Sequence, residues 1–150
     1  MTNEIWNDRV AGPNSPTNMQ LGYLLMRLML GVNLFLHGFI RTLTEYVVWM
    51  EATLPTFEGT VLPMFLVQIF LYLIPPVEIV LGACLLLGLF TRSALIGSAV
   101  LFLSLEIGHG VRHNFGDMHT LMHFSVYLWA LLVFRRLNWL AMDNKVFSNS

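Results

Sequence analysis

The chain has 150 residues, of which 56% are hydrophobic and only 11% are charged, and its formal net charge is -1 at pH 7. A soluble domain carries about 25% charged residues, so this chain lacks the polar residues that a water-facing surface needs and is expected to lie in a lipid bilayer. Because the net charge is close to zero, the chain has no excess of positive charge with which to bind phosphates, and no nucleic-acid partner is expected.

Both ends of the chain are polar and predict irregular tails. Residues 1–20 contain Gly, Pro, Asn and Ser and no apolar core of a signal peptide. Within them, Ser15-Pro16 or Thr17-Asn18 is expected to cap the helix that follows. Residues 141–150 predict the second tail. Cys84 is the single cysteine, which excludes an internal disulfide or a C-x-x-C redox pair within the chain.

Four apolar stretches follow one another, at residues 21–40, 62–90, 93–111 and 120–134. A bilayer core needs about 20 residues of helix, and helices satisfy their own backbone groups in lipid. The second stretch is long and contains Pro75-Pro76, and the fourth is short. The sequence therefore predicts an all-α fold: an integral membrane four-helix bundle formed by residues 21–140.

The segment between the first two stretches, residues 42–60, predicts a short interfacial amphipathic helix between helices 1 and 2. Its apolar residues recur at helical spacing, at Leu43, Tyr46, Val47, Met50 and Leu54. Tyr46 and Trp49 are expected to anchor it at the membrane surface.

Arginine and lysine are distributed unequally between the two sides of the predicted bundle. Most lie with the two termini and the second turn, at Arg9, Arg92, Arg135, Arg136 and Lys145. Arg41 and Arg112 lie on the other side. Because the cytoplasmic loops of membrane proteins carry an excess of Arg and Lys, we expect a multi-pass protein of a bacterial-type inner membrane with both termini in the cytoplasm.

Four of the five histidines lie in GHGVRHNFGDMHTLMHF, residues 108–124. Residues four apart share a helix face, which pairs His109 with His113 and His119 with His123. A short turn makes the two helices antiparallel neighbours. With His37 near the outer end of the first helix, all five are predicted to converge on one outer polar site.

An imidazole exchanges a proton near neutral pH and is the commonest metal ligand, so two uses of this site stay open. One is a quinone site, in which Glu106 orients His109 or relays a proton. The other is a centre for haem or copper with ligands from His109, His113, His119 and His123. Arg41 and Arg112 are candidates for binding an anionic substrate. Plain interfacial polarity is the third interpretation.

Arg27 and Glu78 are ionisable residues inside the first two apolar stretches. Each costs about 2.5–3.5 kcal/mol at the bilayer centre, so such residues usually pair. Counting turns from the cytoplasmic ends places them at similar depths and predicts an Arg27–Glu78 ion pair. Pro75-Pro76 predicts a kink beside Glu78. Small residues predict close helix contacts at Gly82, Ala83, Gly97, Ser98 and Ala99.

Three stretches of the chain resemble the DoxX family. RLMLGVNLFLHGFIR (27–41) is similar to its first-helix pattern, PPVEIVLGACLLLGLFTR (75–92) to its second, and His109 with Asn114-Phe115-Gly116 to its histidine and aromatic-glycine turn. The resemblance implies a four-helix membrane bundle, a link to redox chemistry and functional positions at Arg27, His37, Glu78 and His109. The extra histidines at 113, 119 and 123 depart from the family pattern.

Relatives implied by this resemblance include the DoxD subunit of thiosulfate:quinone oxidoreductase. We therefore expect a redox-associated membrane subunit that passes electrons to quinone from a small outer-face donor such as a sulfur compound. Two alternatives stay open: a non-catalytic structural or assembly subunit of a larger membrane complex, and a histidine-ligated metal or haem protein. The expected partners are the lipid bilayer and a membrane protein or a second copy of the chain.

Overall fold

The computed structural model describes residues 15–143, which form helices joined by short connections without any β-strand. Four helices are long: α1 (Asn18–Ile40), α3 (Met64–Leu87), α4 (Thr91–Val111) and α5 (Phe115–Val133). The connection from α1 to α3 contains a π-helical turn (Arg41–Glu45), the short helix α2 (Tyr46–Thr53) and a 3₁₀ turn (Leu54–Phe57). The all-α prediction is confirmed.

Three helical segments are long and apolar enough to cross a membrane: Asn18–Leu43, Met64–Leu87 and Thr91–Val111. Large apolar side chains on these segments point outward; Met29, Phe65 and Leu103 are each 63% exposed, as lipid-facing residues are. Helix α5 is not among the three, because Asp117, His119 and His123 lie in its first half. The described chain therefore supports a multi-pass membrane protein.

Glycines bring α1 and α3 into close antiparallel contact. A Cβ atom on Gly38 would lie 2.5 Å from the Pro75 carbonyl oxygen, and one on Gly82 would lie 2.8 Å from the Phe35 Cα. The predicted close contact at Gly82 is present, and Gly97 of α4 lies against Leu81 in the same way. α3 remains helical through Pro75 and Pro76. These small residues fix the register of the helices, since no larger side chain fits.

The remaining contacts close the helices into a ring, in which α3 also packs on α4, α4 on α5, and α5 on α1. Each long helix gives a leucine to the centre: Leu34, Leu85, Leu95 and Leu131 are at most 1% exposed. The connection from α1 to α3 lies at the end of the ring where α4 passes to α5. We call this the outer end and the opposite end the inner end.

The first helix begins as its sequence predicts. The Thr17 hydroxyl accepts a hydrogen bond from the Gln20 backbone N–H, and the Gln20 side-chain oxygen accepts one from the Thr17 N–H. This reciprocal capping box satisfies two N–H groups at a helix start. The capping prediction at Thr17-Asn18 is confirmed; residues 1–14 of the predicted tail lie outside the described residues.

The segment after α5 folds back over the inner end instead of starting a tail at residue 141. The Asp143 carboxylate accepts hydrogen bonds from the N–H groups of Phe90, at 2.6 Å, and Thr91, at 2.8 Å, which cap α4. Its own N–H donates to the Gly88 carbonyl, and Ala141 is buried. Residues 141–143 thus belong to the packed unit, and 144–150 lie outside the described residues.

Candidate functional site

A cavity of about 730 Å³ lies in the outer half of the ring. The four long helices and the connection from α1 to α3 all line it. Most of the lining is apolar, and its aromatic rings come from five different elements: Trp49, Phe57, Phe70, Phe102 and Phe124. Pockets of this size with mostly apolar walls and a few polar groups are typical of small-molecule sites.

The first polar group in the cavity is an ion pair between α1 and α3. Arg41 Nη1 lies 2.8 Å from Glu78 Oε2, and the Glu78 side chain is only 6% exposed. The Arg41 guanidinium also lies over the Trp49 ring, 4.4 Å from its centroid. Asn33 and His37 precede Arg41 at four-residue intervals and line the same wall, because residues four apart share a helix face.

The predicted Arg27–Glu78 pair is wrong, because the glycine contacts set a different register. Gly38 lies against Glu78, whereas Arg27 lies against Gly88. Since α1 rises 1.5 Å per residue, Arg27 is roughly 16 Å along the helix from the level of Glu78. Arg27 Nη2 instead donates to the Leu140 carbonyl at 2.8 Å, and Arg27 is 1% exposed. Arg27 therefore belongs to the inner end and does not border the cavity.

The second polar group lies where α4 passes to α5. Arg112 Nη2 is 2.7 Å from His109 Nδ1, and its Nη1 donates to the Thr56 hydroxyl at 3.1 Å. The guanidinium lies over the Phe57 ring, 4.8 Å from its centroid. On the other side, Asp117 Oδ2 is 3.5 Å from the same His109 nitrogen. Burial lowers the pKa of Arg112, and Asp117 raises it; a guanidinium stays charged throughout the physiological range.

The two polar groups stand at different depths. Leu81 of α3 lies against Gly97 of α4, so Glu78 is level with about residue 100 of α4. His109 is then roughly 13 Å further towards the outer end. The wall between the two levels is mostly apolar, with Leu71, Phe102 and Leu105 among its residues. The cavity is thus elongated, with one polar group deep in the bundle and one at its outer end.

The predicted convergence of all five histidines is only partly present. His37 and His109 line the cavity, while His113, His119 and His123 are exposed and lie outside its lining. α4 ends at Val111 and His113 has a positive φ of 56°, so His113 does not continue the helix face of His109. Within residues 15–143, no three His, Cys, Asp or Glu side chains come close enough to hold a metal ion. The four-histidine metal centre is therefore not assembled.

Glu106 takes a different position from the one that the sequence predicts. Glu106 lies outside the cavity lining, and its Oε2 is buried without a hydrogen-bond partner in the described region. The carboxylate that approaches His109 is that of Asp117, because the short turn after α4 places the first turn of α5 beside it. Arg41 and Arg112 do line the cavity, and both are already bonded to side chains of the chain itself; their binding of an anion stays a prediction.

Sequence reasoning missed three cavity residues: Trp49, Phe57 and Asp117. The sequence predicts Trp49 as an anchor at the membrane surface. The arginine contacts explain the positions of Trp49 and Phe57, because Arg41 lies over Trp49 and Arg112 over Phe57. Arg112 and Phe57 lie far apart in the sequence, so residue spacing gives no signal for their cation–π contact.

The DoxX family model matches residues 22–109, more than half of the chain. The match contains α1, α3 and nearly all of α4, and it ends at His109. No curated protein and no solved structure matches the chain significantly.

Proposed function

Because the chain belongs to the DoxX family and is a multi-pass membrane protein, we propose that it is a redox-associated subunit whose cavity binds the head group of a membrane quinone. The observation that carries the proposal is the cavity itself. It combines aromatic walls with paired ionisable groups inside a bundle whose outer surface faces lipid.

The size and walls of the cavity suit a flat, lipid-soluble ring. Its volume, about 730 Å³, falls within the range of roughly 300–1,000 Å³ that small-molecule sites occupy. Phe102 of α4 stacks on Phe124 of α5 with centroids 5.0 Å apart, and Trp49 and Phe57 line the cavity from the connection. Aromatic side chains of this kind offer offset-stacked or edge contacts to a ring.

The polar groups suit the two oxygens of a quinone. Arg112 donates to His109 Nδ1, so a neutral His109 carries its proton on Nε2, and this N–H is a donor for one ring oxygen. His37 and the Arg41–Glu78 pair supply ionisable groups at the deeper level. Reduction of a quinone to a quinol takes up two electrons and two protons. In this proposal the Nε2–H of His109 stabilises the charge that develops on one ring oxygen by a hydrogen bond. The two protons come from water at the outer end, with His37 passing them on at the deeper level, and the two electrons come from reduced sulfur anions, which are oxidised, or from a partner protein.

The proposal includes a topology with four crossings. Helix α5 has 19 residues, about 28 Å of helix, close to the thickness of a bilayer core. It packs on α4 and α1, and Val126 and Trp129 on its outer face are more than 60% exposed. Both termini then lie in the cytoplasm of a bacterial-type inner membrane, with α2 at the outer interface. Reporter fusions after Glu58 and after Asp143 test this: the first should report the outside and the second the cytoplasm.

Quinone binding is tested with purified protein in lipid nanodiscs. A short-chain benzoquinone should quench tryptophan fluorescence saturably, because Trp49 lines the cavity. His109→Leu should weaken binding roughly tenfold, the effect of one lost hydrogen bond. His123→Leu is the matched control, since His123 is exposed and lies outside the lining. Non-saturable quenching, or equal affinity in the two variants, would contradict the proposal.

Electron transfer is tested separately, by following quinone absorbance after thiosulfate is added to the same nanodiscs. Binding together with reduction supports a catalytic subunit. Binding without reduction indicates that the electrons come through a partner protein. Neither binding nor reduction would favour the structural or assembly role instead.

A further inference from the structure

His109 Nδ1 lies between a hydrogen-bond donor and a hydrogen-bond acceptor. Arg112 Nη2 is 2.7 Å away and Asp117 Oδ2 is 3.5 Å away from this one nitrogen. A guanidinium can only donate and a carboxylate only accept. Arg112, the nearer partner, therefore favours the tautomer of His109 with its proton on Nε2. If Arg112 moved away, Asp117 would be the remaining partner and would favour the tautomer with the proton on Nδ1.

Arg112 is held in place by the connection between α1 and α3. Its Nη1 donates to the Thr56 hydroxyl and its guanidinium covers the Phe57 ring. Both residues belong to the 3₁₀ turn Leu54–Phe57. Phe57 is the one buried residue of that turn, and its ring also lies against Gly108, beside His109. Apart from a long hydrogen bond from its own Nε–H to the Gly108 carbonyl, at 3.4 Å, and the contact with His109, the contacts that place the Arg112 guanidinium come from this turn.

We propose that Arg112 is a positioning residue that fixes the proton of His109 on Nε2, and that it does so only while the Leu54–Phe57 turn is seated on α4. The proposal deepens the function proposed above and rests on it for its biological purpose. The turn forms part of the cavity wall through Phe57. A ligand that enters past the turn displaces it, releases Arg112 and changes which ring nitrogen carries the proton. Reseating of the turn restores the Nε2–H donor beside the bound ligand.

Other groups near His109 do not account for this selection. Glu106, three residues earlier on α4, makes no hydrogen bond to the ring in the described region.

The connection between α1 and α3 is flanked by two irregular points of the backbone, the π-helical turn Arg41–Glu45 and Gly59, which has a φ of 77°. At such points a short segment is able to move while α1 and α3 stay packed.

The experiment uses the full chain in nanodiscs with ¹⁵N-labelled histidine, without quinone, at roughly pH 8, well above the ordinary imidazole pKa of about 6.5. The chain has five histidines, and loss of one signal in His109→Gln assigns His109. Its ¹⁵N shifts should show the Nε2–H form in the wild-type protein. In Arg112→Met the ratio of Nδ1–H to Nε2–H should rise roughly tenfold or more, since a hydrogen bond from a charged donor is lost.

A second pair of variants keeps the proposal testable if Arg112→Met does not fold. Thr56 is exposed, so Thr56→Val removes one hydroxyl contact of Arg112 with little change in volume, and Thr56→Ser retains it. Thr56→Val should shift the ratio in the same direction, and Thr56→Ser should match wild type. Asp117→Asn should leave the Nε2–H form in place, because Arg112 still selects it.

Three results would overturn the proposal: an Nδ1–H ring in the wild-type protein, an unchanged ratio in Arg112→Met, or identical ratios in Thr56→Val and Thr56→Ser. None of these measurements uses quinone. Failure of quinone binding with the expected ¹⁵N shifts would remove the proposed function and leave the positioning role. Quinone binding together with an unchanged tautomer ratio in Arg112→Met would leave the proposed function in place and remove the positioning role.

Discussion

The ion pair between Arg41 and Glu78 allows a quantitative test of the register between α1 and α3. Glu78 is 4% exposed, and its carboxylate lies 2.8 Å from Arg41 Nη1. Removing one partner of a buried pair costs about 3–5 kcal/mol, because the other charge stays buried and unpaired. We expect Arg41→Gln to approach this cost. Glu78→Gln should cost less, because the Arg41 side chain is 21% exposed and keeps its contact with Trp49.

The double variant separates this pair from the alternative that the sequence suggested. If Arg41 and Glu78 interact, replacing both should cost about 1–3 kcal/mol less than the sum of the single replacements. Arg27 and Glu78 lie on levels roughly 16 Å apart. Their replacements to glutamine should therefore add within about 0.5 kcal/mol.

The assay is reversible unfolding by SDS in mixed micelles, followed by helical circular dichroism and by the fluorescence of the four tryptophans. Free energies of unfolding for wild type, three single and two double variants complete both cycles. A coupling energy for Arg27 and Glu78 equal to or larger than that for Arg41 and Glu78 would refute the register. Such a result would also mean that Arg41 and Glu78 do not form a polar group deep in the cavity.

Three further predictions concern the packing, each measured by the same unfolding assay. Gly82→Ala should lower the free energy of unfolding by about 1–3 kcal/mol through overpacking, because the new Cβ would meet the Phe35 backbone. Gly22→Ala is the control and should stabilise α1, because a Cβ there would have nothing within 4 Å. Equal effects of the two variants would contradict the contact between Gly82 and Phe35. Asp143→Ala should cost about 1–2 kcal/mol as the α4 cap is lost, and Asp143→Asn, which keeps an acceptor oxygen, should cost less. Thr17→Ala should cost about 1 kcal/mol through the capping box, and no loss would place the start of α1 elsewhere.

The long helices were predictable because a local stretch of sequence indicates each of them. Apolar runs of sufficient length mark α1, α3 and α4, and Thr17 with Gln20 marks the start of α1. The end of α4 was less accessible. The helix stops at Val111 and His113 takes a positive φ, so the four-residue spacing from His109 to His113 crosses a helix end. Periodicity holds only within one helix, which is why the predicted histidine pair is divided.

The partners of the charged residues were not predictable, because they depend on how one helix slides along another. Counting turns from assumed helix ends placed Arg27 level with Glu78. In the structure, contacts at Gly38 and Gly82 decide the level instead. Arg112 with Phe57, and Asp143 with Thr91, join residues more than 50 positions apart. Nothing local in the sequence distinguishes these pairs from other arginine–aromatic or aspartate–helix combinations.

The two ends of the bundle use polar residues in different ways, and this difference separates structural roles from functional ones. At the inner end, Arg27 and Asp143 bond to backbone groups of Leu140, Phe90 and Thr91, and these bonds hold the chain together. In the outer half, Arg41 and Arg112 bond to other side chains that border a cavity. Ionisable groups inside a membrane are costly and are expected where they serve a ligand or proton path. We therefore predict that Arg27, although it lies in the stretch that resembles the family, stabilises the fold, and that Arg41, Glu78, His109 and Arg112 are the charged and imidazole groups of the proposed quinone site.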